Sequence, residues 1–268
     1  MDPDRGAKWQ HGRSGVDTGL GRPDQRGGWG MALTALLGGA VLAEKTGSSG
    51  SDARVLALHG WARTRADWLP ALTGPALAAD LPGFGASPPP PAAWGTLDYA
   101  TMLAPLLAEG GWTLAGHSFG GKVAVQLAAG WPTLIDRVVL TGVPLLKAPS
   151  SGKAALTFRL AKRAHGLRLL SDERMEAERR RRGSGDYRAA SGVMRDTLVK
   201  TVNEDYRSLL PRIEAPVDLV WGAGDTAAPL TMVQEAVALL RTADLTVSPT
   251  SGHLLDEALY RLLRERLI

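Results

Sequence analysis

A chain of 268 residues that is 44% hydrophobic is long enough to bury a sizeable core, as one large domain or as a core domain carrying an insertion. It has no cysteine, which excludes a disulfide framework, a Cys-ligated zinc site and a thiolate nucleophile, and which suits a reducing, cytoplasmic compartment. The formal charge of +4 reads as a solvated, Arg-rich surface. Nucleic acid is not expected as a partner, since no zinc-finger spacing, aromatic-Gly RNA-binding signature or Walker A loop accompanies the charge.

Residues 1–30 are rich in Gly, Asp, Arg and Gln and nearly devoid of aliphatic side chains. They cannot bury enough apolar area to offset chain entropy, and they read as a disordered leader. Residues 31–43 are apolar, but a bilayer span takes roughly 20 residues and Gly38-Gly39 interrupts this one. Two short strands joined at the glycines are expected, and no membrane association.

From residue 53 short apolar runs alternate with helical spans. The run 54–58 reads as a buried strand ending at His59-Gly60, and 76–79 as another ending at Asp80. A third, 112–115, runs into Gly116-His117-Ser118. The runs 137–140 and 217–221 follow, and 245–247 is a weaker sixth. Continuous apolar strands separated by helices indicate a mostly parallel sheet covered on both faces, an α/β fold. In such sheets functional groups gather at the carboxyl ends of the strands. Residues 146–210 break the alternation: they read as helices, and 151–210 carry 14 Lys and Arg against 8 Asp and Glu. The expected organisation is a core over 31–145 and 211–268 with a helical cap over 146–210.

The segment Gly116-His117-Ser118-Phe119-Gly120 has the form G-x-S-x-G between a strand and a helix. That is the context of a nucleophile elbow, in which a sharp turn exposes the central side chain. A serine hydroxyl needs a base, and the base needs an orienting carboxylate. Of five histidines, His253 is the best placed base, because it follows the last strand and precedes the last helix. Asp225 leaves the fifth strand in Trp221-Gly222-Ala223-Gly224-Asp225 and is the expected acid, giving the chain order Ser, Asp, His. At His59-Gly60-Trp61 the backbone can approach a substrate, and the N–H groups of Trp61 and Phe119 are the expected oxyanion donors. Asp80, inside the rigid turn Asp80-Leu81-Pro82-Gly83-Phe84-Gly85, reads as structural.

Together these five segments resemble the α/β-hydrolase superfamily, in particular its cap-bearing serine esterases. The resemblance covers about residues 31–268. It implies an eight-stranded, mostly parallel sheet with helices on both faces and a helical lid, and no metal or organic cofactor. Serine at 118 separates the chain from the dehalogenase and epoxide-hydrolase branches, which carry Asp there. It leaves open carboxylic esters, thioesters, lactones, C–C bonds and cofactor-free haloperoxidation, with a non-catalytic receptor as a distant alternative. The expected substrate is a small or medium-sized ester, handled by a monomer or homodimer. His59, Gly60, Phe158, Tyr187 and Met194 are the expected substrate-binding residues, with Leu160, Met175 and Leu198 also facing the pocket.

Overall fold

The computed structural model describes residues 33–47, 53–147 and 185–267. Eight strands form one sheet: β1 (Leu33–Leu36), β2 (Val41–Thr46), β3 (Val55–Leu58), β4 (Ala76–Asp80), β5 (Trp112–His117), β6 (Ile135–Thr141), β7 (Val217–Gly222) and β8 (Ala243–Ser248). Their order across the sheet is β1-β2-β4-β3-β5-β6-β7-β8. Only β2 runs against its neighbours; the pairs from β4 through β8 are all parallel. The expected pair of strands at the amino end is β1 and β2, joined by a 3-10 turn over Leu37–Gly39.

Alternation along each central strand sends side chains to two separate cores. Leu56 and Leu58 of β3, Leu114 of β5, Val138 and Leu140 of β6, and Leu219 and Trp221 of β7 enter one apolar cluster. Helices α1 (Thr96–Leu103), α2 (Ser118–Gly130) and α5 (Leu230–Val237) cover that face. The alternate residues Ala57, Ala115, Val139 and Val220 enter the other cluster, with Trp68, Leu259 and Leu263. Helix α6 (Glu257–Arg266) closes that face, and the Asp256 carboxylate caps it by accepting the Leu259 N–H at 2.9 Å. Burial on both faces explains the nearly unbroken apolar runs of the central strands. The outer strand β8 alternates only weakly because it sits at the sheet edge, half covered.

Within the segment expected to form the cap, residues 185–201 form two helices, α3 (Gly185–Ala189) and α4 (Gly192–Thr201). Residues 148–184 lie outside the described residues, and with them Phe158, Leu160 and Met175; so do residues 1–30. The return from α4 to β7 is tied down by a half-buried carboxylate. Glu204 accepts from the N–H and hydroxyl of Thr96 at 3.0 and 2.6 Å, and from the Tyr206 hydroxyl. Beside it the buried Lys122 of α2 donates to the carbonyl of Thr201 at 3.1 Å. No described helix is long and apolar enough to cross a membrane.

Candidate active site

The carboxyl ends of β3, β5, β6, β7 and β8 deliver five short segments to one place. Ser118 opens α2 directly from β5 with φ of +49°, a left-handed conformation that a serine adopts only at a cost of roughly 1–3 kcal/mol. The neighbouring glycines make the turn sterically feasible. A Cβ on Gly116 would collide with Gly121 Cα, and one on Gly120 would strike the carbonyl of Leu58. The N–H of Gly120 donates to the carbonyl of His59 at 3.0 Å, which ties the start of α2 to the loop after β3.

Asp225 follows β7 and its side chain is fully buried. One carboxylate oxygen accepts the N–H groups of Ala227 and Ala228 at 2.9 and 2.8 Å. The other lies 2.9 Å from Nδ1 of His253, whose side chain is 26% exposed. Because the carboxylate already faces two donors in its own loop, its remaining oxygen is aimed at the imidazole without conformational freedom. A carboxylate accepts, so Nδ1 of His253 carries the proton and Nε2 is left as the basic nitrogen. The acid and base loops are also zipped by their backbones: Ala223 N–H to Ser248 O at 2.9 Å and Gly224 N–H to Ser251 O at 3.0 Å. Ser118, Asp225 and His253, singled out from the sequence, thus all stand at the carboxyl edge of the sheet. Among the described residues no hydrogen bond joins the Ser118 hydroxyl to His253.

Trp61 and Phe119 pack edge to face, with centroids 5.3 Å apart, and both contact the ring of Phe84. Among the described residues no hydrogen bond occupies the N–H of either Trp61 or Phe119. A cavity of about 260 Å³ opens beside this cluster, lined by Trp61, Ala62, Phe84, Ala190 and Met194 among others. Met194, an expected substrate-binding residue, lines this cavity. Tyr187 is buried, with the Arg195 guanidinium 5.5 Å from its ring centre.

His59 and Gly60, expected at the substrate, are both buried. His59 is fully buried, with both nitrogens used: Nδ1 donates to Gly60 O at 2.7 Å and Nε2 accepts the Leu81 N–H at 3.0 Å. Burial holds its pKa below the usual imidazole value, and with both nitrogens bonded the ring braces the loops after β3 and β4. Gly60 is buried too, and the space its missing side chain leaves is taken by His117: a Cβ there would stand 2.8 Å from His117 Nδ1.

Asp80 is structural, as read from the sequence. It accepts the Arg65 N–H and guanidinium, each at 2.7 Å, and the Ala86 N–H at 2.9 Å. Residues that sequence reasoning passed over are Gly142 and His117, which pack against the Asp225–His253 pair. Among the described residues no group of three or more metal-ligating side chains converges.

The model of the alpha/beta hydrolase family matches residues 55–260, and the chain belongs to that family. Esterase Rv0045c of Mycobacterium tuberculosis is 39% identical over 117 residues, a stretch covering 39% of this chain and 37% of that protein. The chain thus matches little more than a third of that relative's length. The pimeloyl acyl-carrier-protein methyl ester esterase of Aromatoleum aromaticum is 29% identical over 228 residues, covering 73% of this chain and 89% of the relative. Among solved structures, an esterase from Exiguobacterium antarcticum aligns with a TM-score of 0.63 at 17% identity, over 85% of this chain and 93% of that one. That likeness shows the fold. Family and relatives together make the protein a hydrolase of the esterase type.

Proposed function

We propose that the protein hydrolyses a small or medium-sized carboxylic ester through an acyl-enzyme on Ser118. The observation that carries this reading is the 2.9 Å bond between the buried Asp225 carboxylate and Nδ1 of His253, at the same sheet edge as a serine held at φ +49°. Oγ of Ser118 attacks the ester carbonyl while Nε2 of His253 takes its proton. The N–H groups of Trp61 and Phe119 hold the oxyanion of the tetrahedral intermediate. Collapse breaks the C–O bond, and His253 returns the proton to the leaving alcohol. Water then attacks the acyl-enzyme with His253 again as base, releasing the acid and restoring Ser118. Asp225 keeps the imidazole in the required tautomer and stabilises its charged form.

The cavity beside Trp61 and Met194 supports an apolar acyl or alcohol group, since only a few polar groups line it. In this reading the segment 146–210 is a cap that shapes the pocket and excludes water. The absence of cysteine suits work in a reducing cytoplasm.

The test is labelling by a fluorophosphonate, beside hydrolysis of a short p-nitrophenyl ester, for the wild type and for Ser118→Ala. Label and turnover present in the wild type and absent from the variant are expected. A folded wild type that takes no label overturns the mechanism. Inclusion of a vinylogous diketone distinguishes C–C cleavage from ester hydrolysis.

A further inference from the structure

His117, the residue immediately before Ser118, ends β5 and starts the turn into α2. Its side chain is 1% exposed and does not face the substrate cavity. Nε2 of His117 lies 2.9 Å from the backbone carbonyl of His253. A carbonyl only accepts, so Nε2 carries the proton and donates. The two imidazole rings sit with centroids 5.1 Å apart, tilted by 47°. The opposite edge of the His117 ring presses on Gly60, and its Nδ1 is buried without a hydrogen-bond partner among the described residues. Burial pushes this imidazole down to about 4, so at neutral pH it holds one proton, the one given to His253.

Leaving a buried ring nitrogen unpaired is costly, and apolar residues of similar volume would fill the same space without that cost. The polar ring is explained if its one hydrogen bond matters more than its stray acceptor. We propose that His117 is a positioning residue: through Nε2 and the His253 carbonyl it fixes the loop bearing the base relative to the turn bearing Ser118. The path is short. His117 and the nucleophile Ser118 are adjacent in the chain, and only the backbone of His253 itself separates the bonded carbonyl from its imidazole. No other described side chain donates to that carbonyl. The zipper between the loops after β7 and β8 holds base to acid, whereas the His117 bond holds base to nucleophile.

The proposal rests on the serine-hydrolase reading and is tested with the full chain in three variants. His117→Phe keeps the ring volume and lacks a donor. His117→Gln carries an N–H at a reach similar to Nε2, and His117→Asn carries one that falls short. Expected for His117→Phe is a fall in kcat of about tenfold or more with KM within twofold, and a matching fall in the rate of fluorophosphonate labelling. His117→Gln recovers most of both rates, and His117→Asn does not. A His117→Phe enzyme with kcat within twofold of wild type, or a loss confined to KM, overturns the proposal. Should His117→Phe not fold, the amide pair decides: Gln active and Asn impaired supports the role, and the two alike overturns it. Ser118→Ala, run in parallel, reports on the underlying reading separately. An active Ser118→Ala enzyme removes the nucleophile itself, whereas an inactive Ser118→Ala beside an unimpaired His117→Phe removes only the positioning role.

Discussion

Gly142 lies directly behind His253: a Cβ on this glycine would stand 3.2 Å from Nδ1 of the imidazole and 3.3 Å from the Asp225 carboxylate oxygen bonded to it. It follows β6 at φ +58°, so a side chain there meets both backbone strain and crowding against the pair. Gly142→Ala is expected to lower kcat at least tenfold while costing only about 1–2 kcal/mol of stability. Steady-state kinetics beside urea denaturation checks this. Loss of stability without loss of kcat would mean that the pair tolerates being pushed.

Asp80 separates a structural carboxylate from a reactive one. It is fully buried and receives two hydrogen bonds from Arg65, whose guanidinium also reaches Glu44 at 3.2 Å. Asp80→Ala leaves that guanidinium facing a buried gap and is expected to destabilise by about 3–5 kcal/mol. The fraction that remains folded should keep its kcat, measured by active-site titration with the phosphonate. A kcat loss per titrated site would reassign Asp80 to the chemistry.

Stability should fall on the acid side of neutrality. Burial is the main reason that His117 stays neutral down to about pH 4; the hydrogen bond to the His253 carbonyl opposes it, the His253 ring adds a smaller push in the lowering direction, and Asp67 and Asp225 oppose it. The unfolded chain takes up that proton near pH 6.5, so between 6.5 and 4 it binds more protons than the folded one and stability rises with pH. The full contribution is present above 6.5 and is lost as pH falls to 4, with a magnitude on the order of 3 kcal/mol. His59, also lowered by burial, adds in the same direction. Urea midpoints across this window should therefore drop, and His117→Gln should flatten the slope. An unchanged slope in the variant would show that other groups carry the dependence.

Met194 forms part of the cavity wall together with Trp61 and Phe84. Met194→Ala removes most of that side chain and should raise kcat/KM for longer p-nitrophenyl acyl esters relative to the acetate by about three- to tenfold, following the area of chain that can then be buried. A profile unchanged from C2 to C8 esters would place the acyl chain elsewhere.

The sheet, and the place of Ser118, Asp225 and His253 at its carboxyl edge, were legible because each leaves a local signature. The central strands are apolar on both faces, and Gly116 and Gly120 flank Ser118 where only small residues clear the backbones of Leu58 and Gly121. Asp225 and His253 each follow a strand in a glycine-containing loop. What was not legible depends on pairing between distant segments. His59 sits in a motif that suggests contact with substrate, yet its partner is the N–H of Leu81, 22 residues away. His117 looked like a filler position of the elbow, and its partner lies 136 residues on. Neither bond has a sequence period, so only the folded arrangement reveals it.

The edge position of β8 has a consequence for how this enzyme would fail. The base of the proposed mechanism follows a strand with a neighbour on one side only, secured by β7, by Ala243 and Leu245 against the first core, and by Arg266 of α6 bonded to Thr246 and Asp244. The rest of the reactive constellation is mounted on interior strands. Fraying of a single marginal segment would therefore withdraw the proton acceptor while leaving the double core intact. Thermal inactivation should precede the loss of tertiary structure, and the lifetime of the catalyst would be governed by its rim and not by its interior.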